Sequence, residues 1–425
     1  MKNRGISQFI LLVLLIFTVS CASASAAETV PEETKAKTDK IAEILSSGKA
    51  ENNESEKETD NEEKEGEVMA TEITTQKFYA SGENVKPIGR AYFSENILWC
   101  AHSGTGAEFS FKGTSAKITV QGDSASARLN EGNHARIAIY LNGERVIDDL
   151  LKEPSKTYTV FETEAERDAV ITVVKLSESA MSTFGIKEIE VTAKGSISPT
   201  PEKEMLIEFI GDSITCGYGI DDEDREHHFS TSTEDFTKTY AYKTAQELNA
   251  DYSAVALSGY GIISGYTTGA KASTQTLPKY YDNVGFSYGT FPGFDAAQTS
   301  WGFTRKADVI VINLGTNDDS YCQNDADKQA EFTAKYEEFI KTVREHNKDA
   351  KILCTLGIMG GRLYPSVELA AENYIKATGD ENVFCMKFDE QQMSDGLAAD
   401  WHPTERTNVK AAKKLTDEIK KITAQ

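Results

Sequence analysis

The sequence predicts two folded parts in series: an all-β sandwich, then a three-layer α/β domain built on a parallel sheet. Three observations predict it. Across residues 72–195, short apolar or aromatic runs alternate with Gly, Asn, Asp and Ser, the rhythm of antiparallel strands and turns. Across residues 203–425, strand-like apolar runs alternate with stretches of helical period, as a doubly wound α/β domain requires. Between them lies Gly195-Ser196-Ile197-Ser198-Pro199-Thr200-Pro201, a linker by composition.

In chain order, Lys2 and Arg4 precede an apolar run at 9–17, and small residues follow through Ala27. Residues 1–27 therefore read as a signal peptide, and the protein is expected to be exported and secreted. Cys21 follows Thr18-Val19-Ser20, so a lipid anchor at Cys21 competes with cleavage near Ala24–Ala27. Thr18 stands where a lipoprotein signal usually has leucine. Residues 28–71 are rich in Glu, Lys, Thr and Asn and poor in core formers, which predicts a disordered acidic linker. No other stretch approaches the ~20 apolar residues of a membrane span.

The sandwich strands are expected at 107–111, 116–120, 136–141 and 169–174, and Asn142-Gly143 marks a hairpin. In the second domain, strands are expected at 205–210, 253–257, 309–314, 352–356 and 383–388. Helices are expected at 239–248, 325–346, 367–377 and 405–422.

A net charge of −22 argues against nucleic acid or an anionic membrane as partner, because phosphate contacts need clustered Lys and Arg. Six scattered cysteines are too few for a disulfide scaffold. Cys354 and Cys385 lie in apolar runs and read as small buried hydrophobes. No Cys/His spacing reads as zinc. The pair His227-His228 sits in a polar insertion, where neighbours in an extended loop point apart. It and His102, His134 and His346 are expected to be solvated or capping groups.

Three loops at element boundaries carry the chemistry. The run 205–210 breaks into Gly211-Asp212-Ser213, the run 309–314 into Gly315-Thr316-Asn317-Asp318, and Asp400-Trp401-His402-Pro403 precedes the last helix. Open α/β sheets bind ligands at the carboxyl ends of their strands. A serine hydroxyl, a histidine base and amide donors there are the parts of acyl transfer.

These blocks resemble those of the SGNH (GDSL-like) hydrolases, and within that group carbohydrate esterase family 2, over residues 72–425. The resemblance implies a jelly-roll sandwich in front of a flavodoxin-like hydrolase domain. It implies Ser213 as nucleophile, His402 as general base, and Ser213, Gly259 and Asn317 as the oxyanion hole, without cofactor or metal. Asp318 reads as structural. The usual aspartate three residues before the histidine is Ala399 here. Either Asp400 orients the ring, or a main-chain carbonyl does so in a Ser–His dyad, for which the family has precedent. Trp401 is a candidate sugar-binding aromatic, with core packing as the alternative, and Trp301 and Tyr288 are weaker candidates.

The expected substrate is an acetylated plant cell-wall polysaccharide or oligosaccharide of xylan, mannan or glucan. A lipase or thioesterase on the same scaffold, and an inactive carbohydrate-binding protein, are the rivals.

Overall fold

The computed structural model describes residues 72–126 and 132–424. The expected signal peptide, the candidate anchor Cys21 and the expected acidic linker lie outside the described residues.

The first part is antiparallel throughout. Its framework is two long strands, Gly106–Gly122 and Ser155–Lys175, paired with each other and flanked by Phe184–Ala193 and Arg136–Leu141. The expected runs 107–111 and 116–120 are thus one strand rather than two. Register shifts near Gly113–Ser115 and Ala116–Lys117 bend it, and the change of alternation at the bulge is what split the pattern in sequence. The Asn142-Gly143 hairpin forms as expected, with φ of 51° and 85°. Ser198–Pro199, inside the expected linker, adds a short strand against Phe109 and Ser110.

The second part is a five-stranded parallel sheet: β1 Leu206–Gly211, β2 Asp251–Ala256, β3 Val309–Asn313, β4 Lys351–Leu356 and β5 Val383–Lys387. Its order is β2-β1-β3-β4-β5, the flavodoxin-like winding. Alternate side chains feed two cores. Ile210, Ile310 and Ile312 pack with the helices α4 (Ala326–His346) and α5 (Tyr364–Thr378). Ile207, Phe209, Val309 and Val311 pack on the other face with α2 (Tyr240–Glu247) and α6 (Glu405–Thr423). Burying such a side chain fully is worth about 1.5–3 kcal/mol, so the two-faced pattern itself enforces three layers. Cys354 and Cys385 are register partners on β4 and β5, both reduced. Among the described residues no helix is long and apolar enough to cross a membrane.

The two parts share a polar interface. Arg90 of the β domain, fully buried, meets Glu208 of β1 at 3.2 Å and also donates to the carbonyl of Tyr281. Arg136–Asp221 at 2.7 Å, Arg145–Asp235 at 2.8 Å and Lys86–Asp251 at 3.1 Å repeat the pattern.

Candidate active site

The strand order opens a crevice at the carboxyl ends of β1 and β3, where successive connections leave the sheet on opposite sides. Ser213 follows β1, Gly259 follows β2, Asn317 follows β3 in the first turn of α3 (Thr316–Cys322), and His402 follows β5. Ser213 opens the short helix α1 (Ser213–Cys216), capped by the Asp212 carboxylate, which accepts from the Ile214 amide at 3.0 Å.

His402 Nε2 lies 2.9 Å from Ser213 Oγ, although 189 positions separate them. Both side chains are buried. Nδ1 lies 3.2 Å from the carbonyl oxygens of both Ala399 and Asp400. Carbonyls only accept, so they hold the proton on Nδ1 and leave Nε2 as the acceptor facing the serine hydroxyl. The Tyr218 ring stacks on the imidazole at 3.9 Å between centroids, and its partner in turn is Asp400.

The Asp400 carboxylate does not bond the ring, which corrects that alternative. It accepts from Tyr218 Oη at 2.6 Å and the Phe229 amide at 3.0 Å, and pairs with His228 Nδ1 at 2.8 Å. The cause is the backbone: Asp400 (φ 49°) and Trp401 (φ 64°) are both left-handed, a turn that aims carbonyls inward and the carboxylate away. Each such residue costs about 1–2 kcal/mol. The three bonds to the carboxylate, with Asp400 N–H donating to His227 O at 2.9 Å and Gln391 Nε2 to Trp401 O at 2.8 Å, offset that strain. Gly219, at φ 60°, lets the neighbouring chain pass Ala399, whose Cβ would stand 2.7 Å from any added Cβ. Asp400→Ala removes the three carboxylate bonds but keeps the Asp400 N–H to His227 O and Gln391 to Trp401 O anchors of the turn, so it is expected to cost far less in kcat than the ~10⁴-fold typical of a disabled triad aspartate. Parallel kinetics of Asp400→Ala and His402→Ala check this; equal losses would return Asp400 to a triad.

Burial pushes the His402 imidazole down to about 4. A general base works in its neutral form, so kcat/KM is expected to rise with pH through about 4 and to be level at neutrality. A limb near ~6.5, the position of an unshifted imidazole, would contradict it.

The proposed oxyanion donors all lie just beyond the carboxyl ends of neighbouring strands, Ser213 after β1, Gly259 after β2 and Asn317 after β3. The Ser213 and Gly259 amides have no acceptor in the protein among the described residues. Gly259 has φ 81°, and an added Cβ would meet nothing within 4 Å, so the glycine serves backbone conformation rather than clearance from the protein. Asn317 Nδ2 donates to Tyr260 O at 2.9 Å and, at a longer 3.3 Å, to Asp212 Oδ2. It thereby ties the loop after β2 to the residue preceding Ser213. Asp318 is a loop anchor: its carboxylate accepts from the amides of Ile262, Ile263 and Ser264 at 2.7–3.0 Å. Burial pushes Asp212 up to about 7 and Asp318 up to about 6.

Trp401 is half exposed beside His402, with the Arg225 guanidinium 4.2 Å from its ring centroid. Tyr288 is exposed and packs edge-on against Phe286. Trp301 instead lies by Arg90, 5.8 Å from its guanidinium, in a cleft lined by Leu206, Asp251 and Ala307 at the opposite end of the sheet. His102 and His134 are buried, not solvated, and burial lowers His102 to about 3. The sandwich packs its inner loops against the second domain, which sequence position alone did not reveal. His227 and His228 do point apart, to Asp222 and Asp400.

Two features escaped sequence reasoning. Tyr218 had only a weak signal, the Gly217-Tyr218-Gly219 turn after α1. Glu178, Cys216 and Glu234 bring ligand-type atoms within 4.8 Å of one another, all buried, with Lys175 as the buried cation attracting both carboxylates. Glu178 and Lys175 belong to the other domain, so no local pattern joins them to the site.

Comparison with known proteins agrees with this architecture. The family model for GDSL-like lipase/acylhydrolase matches residues 209–408, and that for the carbohydrate esterase 2 N-terminal domain matches residues 87–201. The chain is 30% identical over 338 residues to cellulase/esterase CelE of Acetivibrio thermocellus, covering 78% of this chain and 39% of that protein's length. It is 23% identical over 359 residues to an acetylxylan esterase/glucomannan deacetylase of Cellvibrio japonicus, covering 82% and 92%. A family two carbohydrate esterase from Clostridium thermocellum, solved in complex with cellohexaose, superposes with a TM-score of 0.68 at 28% identity, over 80% of this chain and 99% of that one. An acetyl xylan esterase from the rumen bacterium Butyrivibrio proteoclasticus shares the fold, with a TM-score of 0.75 at 22% identity over 83% and 99%. The two family models together account for most of the described chain, and the protein belongs to the GDSL-like lipase/acylhydrolase family, in the branch that carries the carbohydrate esterase 2 N-terminal domain.

Proposed function

We propose that the protein is an exported carbohydrate esterase that removes O-acetyl groups from plant cell-wall polysaccharide or its oligosaccharides, using Ser213 as nucleophile. The 2.9 Å contact between Ser213 Oγ and His402 Nε2 carries this reading. The curated relatives, an acetylxylan esterase/glucomannan deacetylase among them, support the substrate class.

In this reading Ser213 Oγ attacks the acetyl carbonyl as its proton passes to His402 Nε2. The carbonyl oxygen becomes an oxyanion, held by the Ser213 and Gly259 amides and the Asn317 side chain. The tetrahedral intermediate collapses, His402 returns the proton to the departing sugar oxygen, and an acetyl-serine remains. Water, deprotonated by the same imidazole, then releases acetate and restores Ser213. The Ala399 and Asp400 carbonyls stabilise the transient imidazolium through Nδ1–H. The half-exposed indole of Trp401 offers an apolar face at the mouth, suited to the C–H face of a sugar ring.

The test is acetate release from acetylated xylan, mannan and cellobiose acetates. Release by the wild type, unaffected by EDTA, is expected. A strong preference for long-chain over acetyl esters of nitrophenol would instead favour a lipid substrate.

A further inference from the structure

Glu178 lies in the loop joining the β-domain strands Ser155–Lys175 and Phe184–Ala193, yet its carboxylate ends inside the α/β domain. Glu178 Oε2 accepts from the Ser258 amide at 2.9 Å, while the Glu178 amide donates to Glu234 Oε2 at 2.8 Å. Lys175 Nζ, fully buried, donates to the carbonyls of Ser177 at 2.6 Å and Glu178 at 2.5 Å, which stiffens the same loop from within. Glu178 itself is 1% exposed.

Ser258 immediately precedes Gly259. The direction of the Gly259 N–H is set by the peptide plane between them, which hangs from Ser258. On the far side, the loop is held by Tyr266 N–H donating to Gly259 O at 2.8 Å and Tyr260 N–H to Leu257 O at 3.2 Å. On the near side the Ser258 N–H has one acceptor, Glu178. A buried carboxylate is costly unless hydrogen-bonded and compensated. Lys175 of its own domain attracts the Glu178 carboxyl, yet burial still holds it above the usual carboxylate range, and its hydrogen bond is spent on a loop of the other domain.

We propose that Glu178 is a positioning residue of the oxyanion hole: through it the β domain holds the Ser258 amide and so aims the Gly259 N–H at the acetyl oxygen. This rests on the reading of Gly259 as an oxyanion donor. It makes the β domain a component of catalysis rather than only a companion of it. The Glu178–Cys216–Glu234 cluster then serves as the base of that device, with Lys175 as its resident cation.

The experiment compares Glu178→Ala, Glu178→Gln and Glu178→Asp in the full chain. It reads kcat and KM for acetate release, affinity for a small alkylboronic acid that forms a tetrahedral adduct on Ser213, and Tm. Glutamine keeps an oxygen acceptor at the same reach; aspartate keeps the charge but withdraws it by one methylene. A misplaced donor typically costs about 10²-fold. Alanine and aspartate are therefore expected to lower kcat by about 10–100-fold, to leave KM within about threefold and to weaken boronate binding in parallel. Glutamine should lose several-fold less.

Unchanged kcat and boronate affinity in folded Glu178→Ala would overturn the proposal. So would a reversed order, with aspartate near wild type and glutamine impaired, because charge and not reach would then matter. If alanine fails to fold, the aspartate–glutamine order decides. Ser213→Ala separates the positioning role from the catalytic one: an inert Ser213→Ala beside an unaffected Glu178 series removes only the positioning role. Continued acetate release by Ser213→Ala removes the catalytic reading on which it stands.

Discussion

Ser213→Ala is expected to lower kcat for acetate release by on the order of 10⁵-fold or more, with KM little changed, because the attacking oxygen is gone while the crevice remains. His402→Ala should cost nearly as much. With the Oγ–Nε2 contact at 2.9 Å, hydroxyl and imidazole act as one unit, and each is almost inert without the other. The double variant is therefore expected to be barely worse than either single one, a gross departure from additivity. Steady-state kinetics on an acetylated oligosaccharide, with Tm as the control for folding, check it. Independent, multiplying losses would mean that the two groups do not work together.

The second large effect is expected for Asn317→Ala. Removing one side-chain donor from an oxyanion hole costs about 2.7–4 kcal/mol, or about 10²–10³ in kcat. In the resting protein the Asn317 amide is aimed by its 2.9 Å bond to Tyr260 O, while the 3.3 Å contact to Asp212 Oδ2 is long enough to yield to a stronger acceptor. A developing oxyanion is such an acceptor; a ground-state ester carbonyl is a weaker one. The loss should thus fall on kcat and not on KM. Asn317→Asp should be worse than alanine, since a carboxylate would face the negative charge instead of donating to it. An Asn317→Ala enzyme within a few-fold of wild type would confine the oxyanion hole to backbone amides.

The parallel sheet was legible because each strand is a short, predominantly apolar run between helical periods. The runs 309–314 and 383–388 needed trimming by only a residue at one end. Ser213, Asn317 and His402 were legible because each stands where such a run, or the turn before the last helix, breaks. The β domain was read less finely: its bulged long strand passed for two, and Ser198–Pro199 for linker alone. What stayed hidden depends on backbone torsion or on contact between domains. Asp400 could be read as a ring partner until two consecutive left-handed residues turned its carboxylate towards Tyr218 and Phe229. His102 read as a solvated or capping histidine of the sandwich, since nothing local says that it is buried against Gly285 of the second domain. Glu178 reaches Ser258 across 80 positions, a separation at which no periodicity operates.

In the proposed reaction one hydroxyl, activated by one imidazole, carries the acyl group. The most direct measurement is covalent: treat the folded full chain with a small organophosphonate ester and map the adduct by mass spectrometry. A single phosphonyl group on Ser213 is expected, formed in step with loss of acetate release and strongly slowed in His402→Ala. Complete inactivation with the adduct on another residue, or full labelling of Ser213 with esterase activity intact, would contradict it.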